Sequence, residues 1–295
     1  MSFRIFIFLI SLLSGTAWAD RVADGAPSPQ PQRQESADIL VSTSYFGQGE
    51  EIRGQVREFF DLAHKFTGNP ELKGSQQAVQ RALAFYAKNK TGIPKECGGE
   101  MSGKPIANDE WVAVVDYTKP MDEKRMFFLN IKTGEVIATA AAHGYGSNKN
   151  CPEDETFRCK KKKKWVTKCK IPATVGNGEG NKSGLTSRGF YLTDGGYASG
   201  QDTFQAGSPA YQVGDMNALY LRGLIDDVND HAYGRNVVFH RGSYVHDDYV
   251  NECSNSAGCP STSPDVFEKM KDKLKNGALF YLHTLEDEKK DRPDC

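Results

Sequence analysis

VVFHRGSYVHDDYVNECSNSAGCPS, Val237 to Ser261, is the stretch on which the reading of this chain turns. An apolar, β-branched run ends in His240, a polar loop follows, and Cys259 then stands between Gly258 and Pro260. Three chemistries suit such a cysteine: half of a disulfide, a metal ligand, or a nucleophile with His240 as its base. A thiol attacks a carbonyl only as its thiolate, and histidine is the side chain best suited to take its proton near neutral pH. A histidine at a strand end and a cysteine in a glycine-flanked turn can meet at one end of a sheet, where loops on a rigid scaffold commonly carry function. Gly258 permits backbone conformations denied to other residues, so the N–H groups of Gly258 and Cys259 can converge on a developing oxyanion. Asn255 and Ser256 add polar groups for a substrate or for the loop itself, and Pro260 has no N–H to donate.

The competing readings rest on the other cysteines. There are seven, at positions 97, 151, 159, 169, 253, 259 and 295. Three bridges leave one thiol, and an unpaired thiol in an exported protein asks for an explanation such as catalysis; Cys295, the last residue, is the other candidate for the odd sulfur. Cys253 is the nearest bridge partner for Cys259. A zinc site is the third reading, with His240, His246, Cys253 and Cys259 as nitrogen and sulfur ligands. Their spacing is wider than the tight pairs of most structural zinc sites. The chain has no HExxH, GxSxG or SxxK motif, which removes the commonest exported metal and serine hydrolase signatures.

The N-terminus explains why export enters at all. MSFRIFIFLISLLSGTAWA places Arg4 ahead of an apolar core from Ile5 to Leu13, with small residues at Ala17 and Ala19, the pattern a signal peptidase cuts. Residues 1–19 therefore read as a secretory signal peptide, too short to span a membrane, which takes about 20 apolar residues. An oxidising compartment, periplasmic or extracellular, follows for the remainder. The formal charge of -1 argues against a polyanion-coating role for the whole molecule, so no nucleic-acid partner is expected.

Outward from the deciding stretch, periodicity divides the chain. Residues 20–50, rich in Pro, Gln and Ser, read as a flexible linker. Residues 51–107 form a helical N-terminal segment: Ile52, Val56, Phe59, Phe60 and Ala63, then Val79, Ala82, Leu83 and Tyr86, recur at spacings of three and four. Strands dominate from 108 to 286. WVAVVDY begins at Trp111, RMFFLNI and EVIATAA make a hairpin around Gly134, and further strands are expected at 218–224, 235–245 and 278–285. Ser263 and Pro264 open a helix lined by Phe267, Met270 and Leu274 and stopped by Gly277. Residues 287–295 read as a polar tail. Within the strand-rich region, CPEDETFRCKKKKKWVTKCK sets five lysines, Lys160 to Lys164, among three cysteines. It is either a solvated loop shaped by a disulfide or a basic protrusion that touches an anionic envelope polymer. The glycine-rich VGNGEGNKSG lacks the strand, helix and lysine of a phosphate loop and reads as a loop.

The pattern from His240 through Ser256, Ala257, Gly258 and Cys259 resembles the signature of the L,D-transpeptidase catalytic domain (YkuD-like). The Gly-Cys-Pro ending, RNVVFHRGSYV, NDHAYGR, LTSRGFYLT and the segment from Trp111 to Ser147 resemble one branch of that family, over roughly 108–286. Three positions depart from the wider family: Ala257 stands where many members have histidine, Ser261 where they have arginine, and Arg188 where leucine is expected, which bears on substrate contacts. The resemblance implies a mostly β (α+β), β-sandwich catalytic domain with a helix near its C-terminus, acting on peptidoglycan stem peptides without cofactor or metal. It casts Cys259 as nucleophile and His240 as base, with the imidazole oriented by the backbone carbonyl of Arg241 or Gly242. Gly258 and Ser256 would serve the oxyanion or the loop, and Tyr244, Arg235 and His143 are candidates to contact substrate. It leaves two alternatives standing: a catalytically inert peptidoglycan-binding envelope protein with Cys259 in a disulfide, and a zinc peptidase.

Overall fold

A computed structural model describes residues 50–95, 97, 101–121, 123–144, 156–159, 164–167, 186–196, 218–248, 256, 258–275 and 277–288. The leader 1–19, nearly all of the linker, Lys160 to Lys163, the glycine-rich loop, Asn255, Ala257 and the cysteines at 151, 169, 253 and 295 lie outside these residues. Two helices come first, α1 (Glu50–Phe66) and α2 (Gln76–Asn89). Strands follow: β1 (Trp111–Asp116), β2 (Met126–Asn130), β3 (Val136–Thr139), β4 (Thr156–Cys159), β5 (Lys164–Thr167), β6 (Gly189–Gly196), β7 (Ala218–Gly223), β8 (Val238–Arg241) and β9 (Ser261–Thr262). The chain ends in α3 (Pro264–Leu274), β10 (Leu279–His283) and α4 (Leu285–Glu288).

Eight strands make one mixed sheet in the order β3-β2-β1-β10-β6-β7-β8-β9, while β4 and β5 pair separately as a hairpin. Strands β1 and β10 run parallel, as do β8 and β9; the other pairings in the sheet are antiparallel. The sheet is curled. Phe128 on β2 and Phe239 on β8 stand five strands apart in that order, which in a flat sheet would separate them by about 24 Å. Their ring centroids are 5.9 Å apart. Past β3, Ala142 bridges to Ser261 and Gly144 to Ser256, so the β3 side reaches the β9 edge. The inner face packs on itself, with Trp111, Phe128, Tyr191, Leu219, Phe239 and Phe280 in one cluster that the α3 residues Phe267, Met270 and Leu274 complete.

The outer face has two halves. Across β2, β1, β10 and β6 it buries Leu129, Val114, Tyr281 and Phe190 under α1 and α2. Phe85 of α2 stacks on Phe190 at 3.9 Å, and Phe190 on Tyr281 at 4.3 Å. Register carries the same face onward: Leu192 pairs with Arg222 and Asp194 with Tyr220, then Tyr220 with Val238 and Ala218 with His240. On β7 and β8 the face carries a smaller cluster, in which Ala218 and Val238 gather around Cys259 and Tyr220 at the margin packs on Tyr233 at 5.0 Å.

Local chemistry accounts for the element ends. Ser263 caps α3 by accepting the Val266 N–H, Pro264 sits in its first turn, and Gly277 takes φ 87 beyond its end. Gly134 turns the β2–β3 hairpin at φ 82. The strand expected over 235–245 is only four residues long, because Asn236 adopts φ 57 before it and the chain turns at Gly242, where Tyr244 packs over the backbone. Strand β6 carries no strand signal at its ends, since GFYLTDGG begins and ends in glycine. Chain order also continues past the boundary read at 286: Asp287 in α4 is buried, pairs with Arg188 at 3.0 Å and accepts from the Thr284 N–H and hydroxyl. The lysine run meets β5 at Lys164, which is in register with Cys159 across the β4–β5 hairpin.

Candidate active site

Strand β8 supplies the histidine and the loop before β9 supplies the cysteine. The His240 N–H donates to Pro260 O at 3.2 Å, and His240 is in parallel register with Ser261. Residues two apart on a strand share a face, so Val238 and His240 point the same way. Cys259 packs on Val238 and Ala218 on that face, with Tyr220 at the margin. The sulfur is a buried thiol and not a disulfide half, which removes the basis for the reading in which Cys259 is bridged. Among the described residues no three His, Cys, Asp or Glu side chains gather into a metal-binding set.

Hydrogen-bond direction settles the histidine tautomers. His240 Nδ1 lies 2.7 Å from Arg241 O, and a carbonyl can only accept, so Nδ1 carries the proton and Nε2 presents its lone pair. Burial disfavours the imidazolium and lowers the His240 pKa from its ordinary 6.5, opposed by the Arg241 carbonyl bond, which raises it. The result is a neutral ring whose Nε2 can accept a proton. His143 is the reverse. Arg125 Nη2 sits 2.8 Å from His143 Nδ1, and a guanidinium only donates, so Nδ1 must accept and the proton stands on Nε2. Of the two histidines, only His240 has the proton pattern of a base whose outward nitrogen is Nε2.

His143 nevertheless belongs to this region. Its carbonyl accepts the Ser256 N–H at 2.9 Å, and the next residue, Gly144, receives Thr186 Oγ1 as acceptor for its N–H at 2.7 Å. Arg125 is fully buried and donates to Ala141 O, Lys119 O and His143, with Tyr117 5.0 Å beneath its guanidinium. The segment 141–144 is thus tied on one side to a buried cation and on the other to the cysteine loop.

Within that loop, Ser256 Oγ donates to Cys259 O at 2.5 Å and accepts the Gly258 N–H at 3.1 Å. The contacts seen for Ser256 and Gly258 are those of a loop clamp, with the Gly258 N–H donating to Ser256 Oγ. Gly258 takes φ 127, a region that favours glycine. Tyr244 shares a hydrogen bond with Ser261 Oγ at 3.2 Å, and burial raises its phenol pKa. Arg235 donates from Nη1 to Ser187 Oγ at 3.1 Å, beside Tyr191, whose hydroxyl donates to Ser187 O.

Some of what the site uses was not legible in the motif. Asn229 is completely buried: its Oδ1 accepts the Ile225 N–H and its Nδ2 donates to Arg188 O and Phe190 O. It joins the turn after β7 to the start of β6. Arg188 pairs its charge with Asp287 at 3.0 Å. The sulfur's backbone contacts, Val238 N–H at 3.5 Å and Asn236 O at 3.7 Å, carry no sequence signal beyond an asparagine at a turn.

Residues 160–283 match the family model of the L,D-transpeptidase catalytic domain. The resemblance read from His240 to Cys259 is borne out over that span. Among solved structures, the chain is similar to the crystal structure of the L,D-transpeptidase (residues 123–326) from Xylanimonas cellulosilytica DSM 15894, at 18% identity and a TM-score of 0.27, covering 61% of this chain and 63% of that one. The chain therefore spans somewhat less than two thirds of that protein's length. No curated protein matches.

Proposed function

We propose that this protein is an exported cysteine L,D-transpeptidase that acts on peptidoglycan stem tetrapeptides. One observation carries the proposal: Cys259 is a thiol packed on Val238, two residues before His240 on the same strand face, and His240 has Nδ1 tied to Arg241 O, which leaves Nε2 to accept. In the reaction, His240 Nε2 takes the thiol proton as the sulfur attacks the carbonyl between the third-position diamino acid and D-alanine. The C–N bond breaks, the imidazolium returns the proton to the departing amine, and a thioester remains on Cys259. A side-chain amine from a neighbouring stem then displaces the sulfur to make a 3-3 cross-link, or water does so and D-alanine release is the net result. In this reading Tyr244 and Arg235 contact the peptide's amides and carboxylate, and Ser256 with Gly258 holds the nucleophile's loop.

The family-model match supports the reaction class. Export is supported by the leader-like residues 1–19. Lys160 to Lys164 serve in this reading as a contact to an anionic envelope polymer. No helix among the described residues is long and apolar enough to cross a membrane.

Incubation with disaccharide tetrapeptides, followed by mass analysis, is expected to show loss of D-alanine or formation of dimers. Cys259→Ala is expected to abolish both. Full activity in that variant would overturn the assignment, and stoichiometric zinc with inhibition by chelators would point to a metallopeptidase instead.

A further inference from the structure

We infer that Asn236 is a positioning residue for the nucleophile: its left-handed backbone aims its own carbonyl at the Cys259 thiol while the Val238 N–H approaches the same sulfur. The inference rests on the reading of Cys259 as the nucleophile. Asn236 has φ 57, a region that costs ordinary L-residues energy and that asparagine and glycine enter most readily. Its N–H donates to Tyr233 O at 3.0 Å, and the Val237 N–H to Ala232 O at 2.9 Å, so the turn closes in the manner of a helix C-terminus. The Val237 carbonyl then accepts the Leu221 N–H at 3.0 Å and the chain enters β8. Reversing the sign of φ at 236 is what lets the carbonyl of 236 and the N–H of 238 both face the sulfur.

The two contacts have opposite polarity. Asn236 O, 3.7 Å from Sγ, accepts from S–H and favours the neutral thiol; Val238 N–H, 3.5 Å from Sγ, favours the thiolate. At rest the proton is held toward Asn236. When the S–H bond breaks and the proton moves to His240 Nε2, the sulfur keeps the Val238 donor and remains in place for attack. Among the described residues, the titratable groups around the sulfur include His240 on β8, Tyr220 on β7, Tyr117 after β1, Tyr191 on β6 and Tyr244 after β8. Burial raises Tyr117, Tyr191 and Tyr244 above the ordinary phenol range, so all three stay neutral. Arg125 acts on Tyr117 and Arg235 on Tyr191.

The test measures the pH dependence of iodoacetamide alkylation at Cys259, mapped by peptide mass, in the full chain and in two variants. Asn236→Gly, which keeps access to positive φ, is expected to retain the parent midpoint. Asn236→Val, whose β-branched side chain opposes that conformation, should lose the S–H acceptor and move the midpoint down by about half a unit or more. Turnover on disaccharide tetrapeptide should fall about tenfold in the valine variant, with KM little changed. If the valine variant does not fold, Asn236→Ala makes the same comparison with a smaller side chain. A midpoint that stays or rises in the substituted protein, or a glycine variant as impaired as the valine one, overturns the inference. Alkylation needs no wall substrate, so it reads this geometry even where the tetrapeptide assay fails.

Discussion

One face of one sheet does two different jobs. Over β2, β1, β10 and β6 it lies under α1 and α2, where an apolar and aromatic cluster fills the seam: Phe85 on Phe190, Phe190 on Tyr281, with Val114 and Leu129 beside them. Over β7 and β8 the same face carries Tyr220, Arg222, His240 and the thiol of Cys259. Arg222 is held against Asp194 at 2.6 Å and over the Tyr233 ring at 3.7 Å. Pleat and register are continuous across the boundary, so the difference lies in what covers the face. A helix pair that buries aromatic surface stabilises the fold; on the other half the polar side chains pair with one another and with the cysteine loop. The lesson is that stability and chemistry are separable here by strand number.

The largest effect should come where the halves join. A Cβ at Gly223 would stand 1.9 Å from Asn229 O, in a rigid knot that also holds Arg188 O and Phe190 O. Gly223→Ala is expected to cost more than about 4 kcal/mol and to lower the yield of folded protein, seen by urea denaturation. Retention of parent stability would show that the two halves are less firmly tied than the contacts imply. Next, Phe85→Ala removes a fully buried ring from the helix-covered half, at about 3–5 kcal/mol in the same measurement. Its alkylation profile at Cys259 should match the parent under native conditions.

His240→Asn probes the other half. The amide can keep a bond to Arg241 O while Nε2 is lost, so turnover should drop by about 10²- to 10⁴-fold with the urea midpoint little moved. A large fall in stability would make His240 structural and blur the division. The smallest effect is a shift in pH dependence. Burial lowers the His240 pKa, so the ring stays neutral below the pH at which an ordinary histidine protonates. The acid limb of kcat/KM should therefore fall below 6.5, and a limb above that value would remove His240 as the base.

Much of this was written locally. Trp111–Asp116, the hairpin around Gly134 and the capped helix from Ser263 all follow from residues near one another in the chain, because periodicity and turn chemistry act over a few positions. Strand β6 escaped notice because it begins and ends in glycine, and only the pairing with β7 and β10 makes Phe190–Leu192 a strand interior. Arg188 looked like a disturbance to substrate contacts; its partner is Asp287, 99 residues away. His143 could not be told from His240 by its neighbours in sequence.

The residues alone carried the element types on either side of β4 to β6, the helix caps and the pairing of a histidine with a Gly-Cys-Pro cysteine, since each depends on short-range backbone preferences and on side-chain chemistry. Only the tertiary structure decided that the sheet curls until Phe128 meets Phe239, and that Ala142 reaches Ser261. It also decided that Arg125 fixes one histidine's proton and Arg241 O the other's. Those outcomes depend on which groups long-range pairing brings within hydrogen-bond reach, and a linear pattern carries no distance between residues a hundred positions apart.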